Sequence, residues 1–326
     1  MKTFFTAKTT LVTAMLVATA ATAVTGCSND DSVKATDRVS EAEAIARVQD
    51  LEARAEQLEG SAAAPAASGE TAAPSSANAK AEIKMPDEST IPDDETGAAI
   101  RRGMQIANHT YKELPDYVGN RLNCTSCHLN NGSEAYAAPW NGMSGIYPIY
   151  RSRAGRVNSI QERINGCFQR SMNGKPLPLD SDDMNAMVSY MNWLSQGLPM
   201  GVSPEGRGFV KIDKSLTPNE DNGKKLFAEK CALCHGDNGE GKYKADGTYE
   251  FPAVAGEDSF NDGAGMARTY TAAAFIKGKM PFGQGNTLTD QESVDIAQYF
   301  THLPRPVKAN KDKDWPNGDA PKDARK

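Results

Sequence analysis

The run Cys124-Thr-Ser-Cys127-His128 constrains this chain more than any other feature, because it returns as Cys231-Ala-Leu-Cys234-His235. The chain has 6 cysteines and 4 histidines, and the two C-x-x-C-H runs take four of the former and two of the latter. Composition alone would yield such a run on the order of 0.001 times in a chain of this makeup, so two are no accident. Two thiols three positions apart can each add to a vinyl group of one haem, and the histidine that follows then lies close enough to ligate the iron. The runs therefore predict two covalently bound haem c groups: Cys124, Cys127 and His128 hold the first, and Cys231, Cys234 and His235 the second. The competing readings are a CxxC redox pair and a zinc site. A single zinc site pooling the four cysteines leaves both histidines unexplained.

The N-terminus predicts export. Lys2 and Lys8 flank a start that runs into an apolar stretch at 11–20, followed by Val24-Thr25-Gly26-Cys27. A charged beginning, a short apolar run and a small-residue exit describe a signal peptide over residues 1–26. The apolar run is too short and too rich in Thr and Ala for a good transmembrane helix. The Val-Thr-Gly-Cys ending resembles a bacterial lipobox, which implies cleavage before Cys27 and lipidation of its sulfur. The competing reading is an ordinary signal peptide with an idle cysteine. Ser28 after the cysteine resembles the outer-membrane sorting pattern, so the expected location is the periplasmic side, lipid-anchored, with the outer membrane favoured. Removing residues 1–26 takes away two of the 36 basic residues and none of the 42 acidic ones, moving the formal charge from −6 to −8. That balance argues against a nucleic-acid partner.

At 326 residues the chain has room for about two domains. Residues 27–95 read as a spacer: a helix over 36–59, then an Ala/Pro/Ser linker over 60–82. Residues 96–200 and 201–304 repeat one plan, in which a helix leads to C-x-x-C-H, a loop follows, and a helix closes the unit. Ser159-Ile-Gln-Glu162 predicts a capping box opening a helix through about Met172, and Ser181 caps a helix from Asp182 to Gln196. In the second unit Pro218-Asn219 starts a helix running into Cys231, and Thr271–Lys277 forms a short one. Thr289-Asp-Gln-Glu292 opens the last, through Leu303. The expected fold is all-α, two tandem cytochrome c-like domains with long loops. The tail, 305–326, is charged and is expected to be poorly ordered.

Each haem iron has a second axial position. In the second unit Met280, in Lys279-Met280-Pro281, is the expected ligand, with Lys279 an adjacent alternative. The first unit has no equivalent Met-Pro but has Cys167, in Arg163-Ile-Asn-Gly-Cys167-Phe-Gln-Arg170-Ser171-Met-Asn-Gly. Arginines lie close to Cys167 in sequence, and positive charge favours a thiolate. His128 and Cys167 are the expected axial pair of the first haem.

These residues resemble the dihaem cytochrome c thiosulfate dehydrogenases, some of which run as tetrathionate reductases. The resemblance covers roughly residues 96–304 and is most specific around Cys167, where the family's haem-ligating cysteine falls. It implies active-site roles for Arg153 and Arg163, a substrate-side serine at Ser171, and a Lys279-Met280 pair able to exchange at the second haem. It implies oxidative coupling of two thiosulfates to tetrathionate, with electrons passing from the first haem through the second to an external acceptor such as a small cytochrome c. Two other functions fit the haem motifs: a non-catalytic electron-transfer dihaem cytochrome, and a dihaem peroxidase. The first leaves Cys167 among arginines unexplained, and the second needs an open distal position.

Overall fold

The computed structural model describes residues 82–325. The expected signal peptide, lipid-anchor cysteine, spacer helix and most of the linker lie outside the described residues. From Met85 onward the chain already packs on the first unit, and the Trp193 indole donates to Thr90 Oγ1 at 2.9 Å.

The first unit is framed by two crossing helices. Helix α1 (Glu95–Asn108) starts at Asp94, whose carboxylate accepts the Gly97 N–H at 2.9 Å, and buries Ile100, Gly103, Ile106 and Ala107. Helix α2 (Ile160–Phe168) opens on the Ser159–Glu162 capping box. Helix α3 (Asp182–Leu194) is capped by Ser181 and buries Met184, Met187, Tyr190, Met191 and Leu194. A Cβ on Gly103 would sit 2.1 Å from the Ala186 carbonyl oxygen, so only glycine lets α1 and α3 approach this closely.

The second unit repeats that crossing. Helix α4 (Glu220–Lys230) meets helix α6 (Asp290–His302) at Gly223, where a Cβ would lie 1.9 Å from the Asp295 carbonyl oxygen. The Asp295 carboxylate fixes the register by accepting from the Asn219 N–H and the Asn222 amide, both at 2.8 Å. Between them, helix α5 (Thr269–Lys279) is buried on nearly every side. Single helical turns carry Cys124 and, at Ala232–His235, the second motif. Two short antiparallel hairpins, β1 (Ile149–Arg151) with β2 (Arg156–Asn158) and β3 (Lys242–Tyr243) with β4 (Tyr249–Phe251), add to the helical frame.

Three expectations need correcting. Helix α2 stops at Phe168 rather than near Met172. The chain wraps back there, with the Met172 N–H on the Cys167 carbonyl (3.0 Å) and the Gly174 N–H on that of Phe168 (2.8 Å). Helix α5 starts two residues before Thr271, because the Asp323 carboxylate of the tail accepts the Tyr270 N–H at 2.9 Å and caps it from outside the local sequence. The tail itself is packed rather than loose. Asp262 accepts the Lys308 N–H at 2.8 Å and pairs with Lys311, and the Arg325 guanidinium donates to the Thr301 carbonyl at 2.6 Å. Its charge reads as solvation only until its partners are seen.

The two units interlock through polar contacts. Asn120 donates to the carbonyls of Ser171 (2.9 Å) and Ser259 (3.0 Å), and the Asn261 amide donates to the Gln169 carbonyl (2.9 Å). The connecting segment 197–214 does more than join them: Gly206 and Gly208 carbonyls accept the N–H groups of Tyr136 (2.6 Å) and Ala138 (2.7 Å) beside the first motif. No helix among the described residues is long and apolar enough to cross a membrane.

Candidate active site

The histidines of both motifs are held in the same way. Nδ1 of His128 donates to the Ala138 carbonyl at 2.7 Å, and Nδ1 of His235 donates to that of Pro252 at 2.8 Å. A carbonyl only accepts, so Nδ1 carries the proton and Nε2 is left to coordinate. Ala138 is itself anchored by its N–H, which donates to the Gly208 carbonyl, so the connecting segment helps orient the His128 ring.

Cys124, Cys127 and His128 line a cavity of about 890 Å³. Cys167 faces them from α2. Arg163 and Cys167 stand one turn apart on that helix and line the cavity, beside the buried Ile164 and Phe168. The Arg163 guanidinium donates to the Cys167 sulfur at 2.9 Å. Burial pushes the Cys167 thiol up, but Arg163 and His128 more than offset it, and its pKa falls to about 6. Burial leaves the motif thiols at the opposite extreme, Cys124 at about 12 and Cys127 at about 11. One thiol is thus set up to carry charge, whereas two are set up to be neutral, as thioether sulfurs are.

Arg153 and Ser171 line the same cavity as Cys167, as do the neighbouring Arg156 and Arg170, which have carboxylate partners. Arg156 is largely exposed and paired with Glu162 at 2.6 Å. Arg170 is taken by Asp314 of the tail through two hydrogen bonds, 2.8 and 2.6 Å. Burial, together with Arg170, Arg268 and Arg163, lowers the Arg153 pKa to about 9. Met280 caps the C-terminal end of α5 and packs on the core. The Lys279 ammonium is paired with Glu134 of the first unit.

Haem c fits this arrangement. Arg268 lines the cavity and its buried Nε has no hydrogen-bond partner among the described residues, a donor suited to a propionate. Arg268, Asp314 and Trp315 were not singled out from the sequence. The one available signal was Trp315, an aromatic residue inside an otherwise charged tail.

A pair of C-x-x-C-H sites with ordered histidines, each in a unit closed by crossing helices, defines a c-type cytochrome. Residues 118–200 match the family model described as SoxA/TsdA, cytochrome c domain, and residues 218–300 match that of cytochrome C oxidase, cbb3-type, subunit III. A thiosulfate dehydrogenase of Psychrobacter arcticus is 68% identical over 320 residues, covering 98% of both chains. That of Allochromatium vinosum is 42% identical over 229 residues, covering 69% of this chain and 85% of its own. The solved thiosulfate dehydrogenase TsdBA of Marichromatium purpuratum matches with a TM-score of 0.66 at 36% identity, over 70% of this chain and half the length of that one. The chain belongs to the thiosulfate dehydrogenase family.

Proposed function

We propose that this protein is a dihaem c-type enzyme that oxidatively couples two thiosulfates to tetrathionate. The observation that carries the reading is the Arg163–Cys167 contact at 2.9 Å, aimed into an arginine-lined cavity opposite His128. Haem c would be held by Cys124, Cys127 and His128 and again by Cys231, Cys234 and His235, with Cys167 and Met280 as the further residues that would hold each iron, and it would supply two one-electron acceptors.

The chain's own residues handle the substrates. Thiosulfate is a dianion, so Arg153 and Arg163 offset repulsion between two copies before a sulfur–sulfur bond can form. The Cys167 thiolate joins the sulfane sulfur of the first thiosulfate, giving Cys–S–S–SO3⁻ and releasing two electrons. The sulfane sulfur of the second thiosulfate then attacks the adduct sulfur bonded directly to Cys167 Sγ. The Cys167 thiolate leaves, tetrathionate forms, and no further electrons move. Ser171 sits at the substrate side. Lys279, paired with Glu134, stands beside Met280 as the alternative ligand. Electrons leave through the second unit to an external acceptor such as a small cytochrome c.

The N-terminal pattern supports an exported protein tethered by lipid at Cys27 on the periplasmic side, the outer membrane favoured, where c-type haem attachment occurs. The test is tetrathionate formation from thiosulfate with an artificial electron acceptor, run beside oxidation of a reduced dye by tetrathionate. Activity in either direction supports the reading; a haem-loaded protein silent in both overturns it in favour of an electron carrier.

A further inference from the structure

The haem sites and thiol chemistry described above use no residue of the C-terminal tail, yet Lys313, Asp314 and Trp315 line the cavity that contains Cys167. Asp314 is only 9% exposed and takes Arg170 with both carboxylate oxygens. Arg153 lies 3.9 Å from the same carboxylate, beyond hydrogen-bonding range. Its guanidinium instead lies over the Trp315 ring, 4.5 Å from the centroid, and the Trp315 backbone N–H donates to the Arg153 carbonyl at 2.9 Å. Trp315 holds a left-handed backbone, φ 55°, which is uncommon for a bulky residue. Such a conformation persists only where the surroundings impose it, and it concentrates at functional sites.

We propose that Trp315 is a positioning residue of the substrate site, holding the Arg153 guanidinium flat so that its in-plane donors meet the sulfonate end of thiosulfate. The inference rests on the functional reading above and extends it to the tail. A guanidinium has a stacking face and a rim of N–H donors. The indole takes the face, the Gly263 carbonyl takes one donor at 2.6 Å, and the rest of the rim stays available in the cavity. Asp314 occupies Arg170, so of these two neighbours Arg153 is the one left to bind an anion.

The tail does not depend on this side chain for its attachment. Asp262 holds it upstream of Trp315, and Asp323 and Arg325 hold it downstream.

The experiment measures KM and kcat for thiosulfate in the full haem-loaded chain and its Trp315→Ala, Trp315→Leu and Trp315→Phe variants, with unfolding midpoint and haem spectrum recorded for each. Loss of a desolvated cation–π contact is expected to raise KM roughly tenfold in the Ala and Leu variants. The effect on kcat should be smaller, the spectra unchanged, and Phe should restore most of the KM. Leu fills the space without an aromatic face, so it carries the test should the Ala variant not fold. An unchanged KM in either variant, or a loss of kcat alone that Phe does not rescue, overturns the inference. A wild type that makes no tetrathionate overturns the functional reading and the inference with it, whereas an active wild type with indifferent variants overturns the inference alone.

Discussion

Arg163 and Cys167 lie one turn apart on α2, and the guanidinium donates to the thiol sulfur at 2.9 Å. Helical spacing places both on one face, and the Ser159–Glu162 box fixes where that face begins. The contact couples local helix chemistry directly to the charge state of the sulfur.

Removing that cation should therefore cost activity out of proportion to stability. Arg163→Gln leaves the burial of Cys167 unopposed by its nearest guanidinium, and kcat for tetrathionate formation is expected to fall on the order of 100-fold. Arg163→Lys keeps the charge without the planar fork and should fall in between. Steady-state kinetics on haem-loaded variants would check the order; equal activity in all three would contradict it.

Glu162 links the same helix to pH. Its carboxyl is held down to about 2 by Arg156, the Ser159 N–H and Asn158. A depressed folded pKa contributes stability above the ordinary value of 4.5, and that contribution is lost as pH falls through about 2. Glu162→Gln should flatten the acid limb of stability between these values. The check is the urea midpoint of both proteins across that window, and an unchanged slope would speak against the contribution.

Helix crossing sets the most demanding packing. A Cβ at Gly223 meets the Asp295 backbone 1.9 Å away, where no side chain can yield. Gly223→Ala should destabilise the second unit by about 1–3 kcal/mol through overpacking, read as a lowered thermal midpoint. The effect should exceed that of alanine at Gly247, which has no neighbour within 4 Å. The Gly247 change carries only the strain of its own φ of 77°.

Much of this was legible because it is local. The haem motifs are contiguous, both capping boxes place their partners three residues apart, and Cys167 stands out by elimination among six cysteines. What was not legible depends on distant partners. Asp314 looks like one charge in a solvated tail until Arg170, 144 positions away, is placed beside it. The partner of Lys279 is likewise distant: Glu134, 145 positions away, pairs with its ammonium. The start of α5 was missed because its cap comes from Asp323, not from the preceding residues. Periodicity carries no information about such contacts, which arise only once distant parts of the chain have come together.

The central claim is that Cys167 is the reacting group of a thiosulfate-coupling site. The most direct measurement is thiosulfate turnover by Cys167→Gly, with haem content and spectrum determined on the same sample. The expected result is loss of tetrathionate formation while both haems remain attached and the second haem's spectrum is preserved. Near-normal turnover in a fully loaded variant would contradict it and reduce Cys167 to a residue that tunes the first haem.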